Sequence, residues 1–202
     1  MKIICVGRNY TKHAKELGNE VPDEPVIFLK PDTALLKNND PFYLPNFSNS
    51  IHYEVELLVK ISKAGKNIDA KFAPKYYEQI GLGIDFTARD IQSNCKEKGL
   101  PWERAKAFDH SAVVSNFVSK ENFKLEALRF SLEKNGKQVQ LGNTQDMLFS
   151  IDKLIENVSK FLTLKQGDII FTGTPEGVGP ISLGDRLEGK IEEQTFFNFE
   201  IK

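Results

Sequence analysis

Two glutamates, Glu54 and Glu56, lie within the stretch IHYEVELLVKI at Ile51–Ile61 and are the first residues whose type and spacing suggest chemistry. Residues two apart in a β-strand project from one face, so the two carboxylates would aim at one point. Tyr53, Val55, Leu57, Val59 and Ile61 would form the opposite face, an apolar set suited to a core. Like charges held side by side repel, and a cation between them relieves the repulsion. The same alternation also describes a solvated strand face, which Lys60 would continue.

Asp85 stands where the apolar, glycine-interrupted run Tyr77–Ile84 gives way to a helix expected from about Thr87 to Lys98. Helix capping would account for it, and Thr87 with Asp90 three residues later is itself a capping-box pattern. If Asp85 instead faces Glu54 and Glu56, three hard oxygen donors converge, a set that selects Mg²⁺, Mn²⁺ or Ca²⁺ over zinc. Gln92 would support that site or be solvated. Lys106, an ordinary surface lysine in isolation, would near such a site stabilise negative charge developing on a substrate.

His13 and Glu16 share one face of a short helix expected over Thr11–Leu17, with Gly18 at its end. A carboxylate beside an imidazole fixes its tautomer and raises its basicity, as a water-activating base requires, although an exposed ion pair has the same spacing. Pro22–Pro25 reads as a loop, so residues from about 10 to 25 form a candidate mobile lid.

Positioning these groups requires a mostly β chain. Short strands are expected at Lys2–Val6, Val26–Leu29, Ser111–Phe117, Arg129–Lys134, Lys137–Leu141 and Ile169–Phe171, with Asn135-Gly136 as a hairpin turn. Phe72–Glu78 suggests a short helix. Ile151–Phe161 reads as a helix with Ile151, Leu154, Ile155 and Val158 toward the core. The glycine-rich segment Thr172–Pro180 lacks the Gly-Lys-Ser/Thr ending of a phosphate loop, which argues against nucleotide binding by that route. Its backbone N–H groups and the hydroxyls of Thr172 or Thr174 would suit a substrate carboxylate, or the loop simply connects strands.

The chain has 202 residues, enough for a sizeable core, and with no repeat or linker one domain over 1–202 is expected. With 27 basic and 28 acidic residues, net charge −1, neither nucleic acid nor a membrane surface is an expected partner. The N-terminal apolar run Ile3–Val6 is too short for a secretory signal, and no stretch approaches the ~20 residues of a membrane span. A soluble cytoplasmic protein is the expectation. Cys5 and Cys95 stand far apart, which argues against a disulfide framework or a thiolate metal site.

The ordered set GRNY, HAKE, FLKP, HYEVEL, GIDFTARDIQ, GLPWERAKAF and GDIIFTGTPEGVG resembles the fumarylacetoacetate hydrolase superfamily over nearly the whole chain. The closest likeness is to its short acylpyruvate hydrolase and oxaloacetate decarboxylase branch, without the extra N-terminal domain of longer members. The resemblance implies an α+β, mainly β fold, a mixed β-sandwich roll with a few short helices. It also implies a homodimer with one Mg²⁺ or Mn²⁺ per subunit. By motif position Glu54, Glu56 and Asp85 match the metal ligands, His13 with Glu16 the water-activating lid dyad, and Lys106 the lysine beside the metal. Arg8, Lys30, Arg89, Gln92 and Thr174 match positions that line or brace the substrate pocket.

Acylpyruvate hydrolysis is the leading expectation, with substrates such as fumarylpyruvate or acetylpyruvate and with possible oxaloacetate decarboxylation through the same enolate. A second reading is an isomerase, tautomerase or decarboxylase acting on unsaturated 2-oxo or 2-hydroxy diacids of aromatic catabolism, such as 2-hydroxyhepta-2,4-diene-1,7-dioate. A third is a non-catalytic β module stabilised by its metal.

Overall fold

The structure, a computed structural model, describes residues 1–11, 16 and 21–202. The expected lid falls partly outside these residues, and so does His13. The strands are β1 (Ile3–Gly7), β2 (Val26–Lys30), β3 (Leu35–Leu36), β4 (Ile51–Tyr53), β5 (Val55–Ile61), β6 (Tyr77–Asp85), β7 (Thr87–Ala88) and β8 (Ala112–Val114). They continue as β9 (Val118–Ser119), β10 (Arg129–Lys134), β11 (Lys137–Asn143), β12 (Ile169–Phe171), β13 (Gly179–Pro180), β14 (Arg186–Ile191) and β15 (Gln194–Glu200). Three helices, α1 (Arg89–Glu97), α2 (Glu103–Lys106) and α3 (Ile151–Phe161), bear on the site or the core.

The largest sheet runs β2-β1-β12-β5-β6-β8-β3, with β9 also pairing with β6. It is mixed, because β1 pairs with β12 and β3 with β8 in parallel while the other neighbours are antiparallel. A four-stranded antiparallel sheet, β11-β10-β14-β15, packs over one face, and a small third sheet has the order β13-β4-β7. The mainly β roll expected from the sequence is the fold observed.

Strand β5 shows why a sheet can be central and still carry charge. Val55, Leu57, Val59 and Ile61 join Phe130, Leu132, Leu187, Ile191 and Phe197 in the main core between the two larger sheets. Leu58, on the other face, packs with Ile3, Cys5, Ile169 and Phe171 in a second cluster. Covered on both sides, the strands are apolar in continuous runs rather than strict alternation. Glu54 and Glu56 therefore sit on a buried face, which rules out the solvated strand face.

Local signals account for much of the remainder. Asn135 and Gly136 have φ of 54° and 75°, the left-handed pair of a two-residue hairpin. Helix α3 spans the expected residues, with Leu154, Ile155 and Val158 fully buried and the Ser150 side chain capping its N-terminus. Beyond shifts of one or two residues at strand ends, three stretches differ from expectation. Ala70–Lys75 forms a 3-10 turn containing Pro74, while Tyr77 and Glu78 already belong to β6. The Ser111–Phe117 strand stops at Val114, where the Ser115 hydroxyl takes the Leu82 N–H at 2.9 Å, and pairing resumes at Val118. Thr87 and Ala88 pair with β4, so α1 begins only at Arg89. Among the described residues no helix is long and apolar enough to cross a membrane.

Candidate active site

The chain switches sheets at Glu54. Residues 51–53 pair with β13 and β7, and from Val55 the chain pairs with β6 and β12. The register sets Val55 opposite Ile84 and Glu56 opposite Gly83, and the Asp85 N–H donates to the Glu54 carbonyl at 2.8 Å. The adjacent ends of two neighbouring strands thereby bring Glu54, Glu56 and Asp85 together, each buried, with one oxygen from each within 4.8 Å of the others. Asp85 does not cap the helix: Ala88 occupies that position with no side-chain cap bond. Thr87 and Asp90 form no capping box either. The Thr87 hydroxyl meets Lys106, and Asp90 accepts from Ser48, Asn49 and Ile91.

Burial pushes the Glu56 carboxyl well above the usual carboxylate range, and the charges of Asp85 and Glu54 push it further. The Gly173 N–H, donating to Glu56 Oε2 at 2.6 Å, acts in the opposite direction. Hard oxygen donors, buried and mutually repelling, fit a divalent cation such as Mg²⁺ or Mn²⁺.

Lys106 is buried against the same carboxylates. Its Nζ donates to Glu54 Oε2 at 2.8 Å, Asp85 Oδ2 at 2.7 Å and Thr87 Oγ1 at 2.6 Å. Burial alone would lower its pKa, but Asp85 and Glu54 reverse the sign and hold the ammonium charged. Lys30 braces the other side of Asp85, with Nζ 2.8 Å from Oδ1. The rest of its ammonium is satisfied by the Ser111 hydroxyl and carbonyl, at 2.9 and 3.1 Å, and by the Lys106 carbonyl. From α1, Arg89 reaches Glu54 Oε1 at 2.5 Å and Gln92 Oε1 at 2.7 Å.

The loop after β12 closes the opposite side. Thr172 and Thr174 both donate their hydroxyl hydrogens to β5, to the carbonyls of Leu57 at 2.9 Å and Val55 at 2.8 Å. They fasten the loop to the strand that carries Glu56, and Thr174 also lines the cleft. Glu16 is exposed, and its carboxylate accepts the Gly177 N–H at 3.1 and 3.2 Å, which sets it against the same loop. Arg8 lines the cleft from the turn after β1, where its φ is 60°. Cys5 and Cys95 are buried free thiols.

Three contributors were not singled out from sequence. Asn9 is fully buried and donates to the carbonyls of Thr172 at 2.8 Å and Phe149 at 3.0 Å, locking the turn that presents Arg8. Gln140 takes the Val55 N–H at 2.9 Å and donates to Thr174 Oγ1 at 2.9 Å. Lys96 lines the cleft from α1. Its spacing of i+7 from Arg89 and i+4 from Gln92 is a readable signal of a shared helix face, whereas a glutamine within a strand carries none.

The family model for the fumarylacetoacetate (FAA) hydrolase C-terminal region matches residues 2–201. The chain is 46% identical over 201 residues to the mitochondrial oxaloacetate tautomerase FAHD1 of Mus musculus, covering 99% of this chain and 91% of the relative. It is 45% identical over 188 residues to the oxaloacetate tautomerase YcgM of Escherichia coli K12, covering 92% and 86%. A crystal structure of fumarylpyruvate hydrolase from Pseudomonas aeruginosa, in complex with Mn²⁺ and pyruvate, superposes with a TM-score of 0.94 at 32% identity, covering 100% of this chain and 89% of that one. With a buried acidic triad at its centre and enzymes as its relatives, this chain belongs to the fumarylacetoacetate hydrolase family.

Proposed function

We propose that this protein is a divalent-metal-dependent tautomerase of oxaloacetate, interconverting its enol and keto forms through the enolate. The observation that carries this reading is the Lys106 ammonium, buried between Glu54 and Asp85 at the edge of the acidic triad. A site that concentrates positive charge beside cation-holding carboxylates is suited to an intermediate whose negative charge spreads onto an oxygen. Relatives named as oxaloacetate tautomerases, matched over most of their length, support the choice of substrate.

Glu54, Glu56 and Asp85 would hold Mg²⁺ or Mn²⁺, which supplies Lewis acidity at the 2-oxo oxygen. Lys106 adds a fixed positive charge beside that oxygen. Arg89, oriented by Glu54 and Gln92, holds the neighbouring end of the substrate. Phe28 and Trp102 also line the cleft and give it an apolar wall. In the enol-to-keto direction the O2 proton passes to solvent and C3 takes one from the protonated imidazole of His13, which solvent then reprotonates, so no net proton is gained or lost. The HAKE motif assigns His13, with Glu16, to this transfer.

A second reading, hydrolysis of acylpyruvates, uses the same enolate as leaving group and needs in addition a base for water. The specific observation in its favour is Glu16 anchored at Gly177, within reach of the Thr172–Pro180 loop. The deciding experiment is turnover of enol-oxaloacetate, acetylpyruvate and fumarylpyruvate by purified protein with Mg²⁺, Mn²⁺ or chelator. Metal-dependent ketonisation of oxaloacetate faster than cleavage of either acylpyruvate is expected. Acylpyruvate cleavage with no acceleration of ketonisation would replace the tautomerase reading with the hydrolase one.

A further inference from the structure

Two cations in the cleft are not taken up by the acidic triad. Lys30, Lys106 and Arg89 are each ion-paired with Asp85 or Glu54. Arg8 and Lys96 line the same cleft, and among the described residues neither has a carboxylate partner.

Lys96 reaches the cleft because Arg89, Gln92 and Lys96 occupy one face of α1. Its stem is half-buried, and its Nζ lies 5.9 Å from the centroid of the Trp102 ring. Burial lowers its pKa, and the nearby charges of Arg8 and Arg89 lower it further, outweighing the opposing charge of Glu54, with which it forms no ion pair. Arg8 carries a comparable cost: its Nε is buried without a hydrogen-bond partner, and its backbone is left-handed at φ 60°. Withdrawing a cation from water without a counter-ion is unfavourable. Two such groups from separate elements, facing one cleft, are arranged to receive an anion.

The 2-oxo acid end of a substrate is accounted for by the triad, Lys106 and Arg89. What remains unmatched in a dicarboxylic substrate is its second carboxylate. We propose that Lys96, assisted by Arg8, seats the distal carboxylate of a dicarboxylic 2-oxo acid and is the residue that selects diacids over monoacids. This inference rests on the 2-oxo acid reading of the site.

The test compares oxaloacetate with its 4-methyl ester, which has the same skeleton and a neutral distal end. Calorimetric Kd and turnover are measured with Mn²⁺ for the wild type, Lys96→Met and Lys96→Arg. Methionine preserves the apolar stem against Trp102, so loss of packing is separated from loss of charge. The wild type is expected to bind the diacid more tightly than the ester. Lys96→Met weakens the diacid about tenfold in Kd and KM, the scale of one charge-assisted hydrogen bond, leaves the ester unchanged, and Lys96→Arg restores the preference. Equal losses on both substrates, or none on either, overturn the inference. If oxaloacetate is bound with this Lys96 dependence but not turned over, the tautomerase reading fails and the inference stands; turnover with an indifferent Lys96→Met gives the reverse.

Discussion

Gly173 donates its backbone N–H to Glu56 Oε2 at 2.6 Å from a left-handed conformation, φ 101°. A Cβ at this position would lie 2.6 Å from the Asn9 Cβ and 3.3 Å from the Val6 carbonyl oxygen. The loop can approach β1 and Glu56 this closely only because residue 173 has no side chain. Gly173→Ala is therefore expected to cost about 1–3 kcal/mol of stability and to weaken Mn²⁺ binding by loosening Glu56. Urea unfolding and Mn²⁺ titration check both effects; a variant as stable as the wild type with unchanged affinity would contradict the placement of the loop.

Metal affinity should depend on pH through Glu56. Its carboxyl is raised by burial first and then by Asp85 and Glu54, so without metal the folded state favours the protonated form relative to the unfolded chain. Glu56 thus contributes stability at acid pH that is lost as pH rises through its raised value, and a bound cation opposes that loss. Mn²⁺ should consequently raise Tm more at pH 8 than at pH 5. A metal-induced shift independent of pH would exclude Glu56 as a ligand that must ionise.

Lys106 compensates the charge of Glu54 and Asp85, and the proposed reaction assigns it a part in the chemistry as well. Lys106→Met leaves Glu54 and Asp85 without the ammonium that bridges them, at an expected cost of about 3–5 kcal/mol. Saturating Mn²⁺ should recover much of that stability by supplying a replacement cation. Activity should not recover with it, and kcat/KM is expected to remain at least ~10²-fold below wild type. Full activity in the metal-loaded variant would remove Lys106 from the chemistry.

Away from the site, Asp168 joins the N-terminus to β12. Its Oδ1 accepts the Lys2 N–H at 2.8 Å, and its Oδ2 accepts the Lys165 N–H at 2.8 Å and pairs with Lys2 Nζ at 2.5 Å. Burial pushes its pKa up, but the Lys2 side chain and the backbone donors outweigh burial and hold it below the usual carboxylate value. A depressed carboxylate contributes stability above its unfolded pKa and loses it as pH falls through the folded value. Asp168→Asn should cost about 2 kcal/mol at pH 7, and the gap from wild type should narrow below about pH 4. Parallel stability–pH curves for the two proteins would count against this account.

Local features were legible because they depend on neighbours in sequence. The α3 periodicity, the Asn135-Gly136 turn and the runs forming β10 and β12 carry their own dihedral preferences, and each appears where expected. Thr87 misled because a capping box and a short strand share residue types, and pairing with β4 prevailed over local helix propensity. Lys96 differs: its spacing from Arg89 and Gln92 marks a shared helix face, whereas Gln140, a glutamine within a strand, shows nothing in sequence of the partner it faces.

The amino-acid sequence by itself determined the donor chemistry: Glu54 and Glu56 two apart, a strand ending in Asp85, a lysine at 106 and a glycine at 173, in an order that identified the family. Only the tertiary structure decided how those charges are matched. It placed Glu54 at the point where the chain changes sheets, assigned Lys30 and Lys106 to separate oxygens of Asp85, and left Arg8 and Lys96 without carboxylate partners among the described residues. The physical reason is that spacing along a strand or helix fixes only the face on which a side chain emerges. Which buried charge meets which depends on strand register and on segments far apart in sequence, and no local periodicity encodes that.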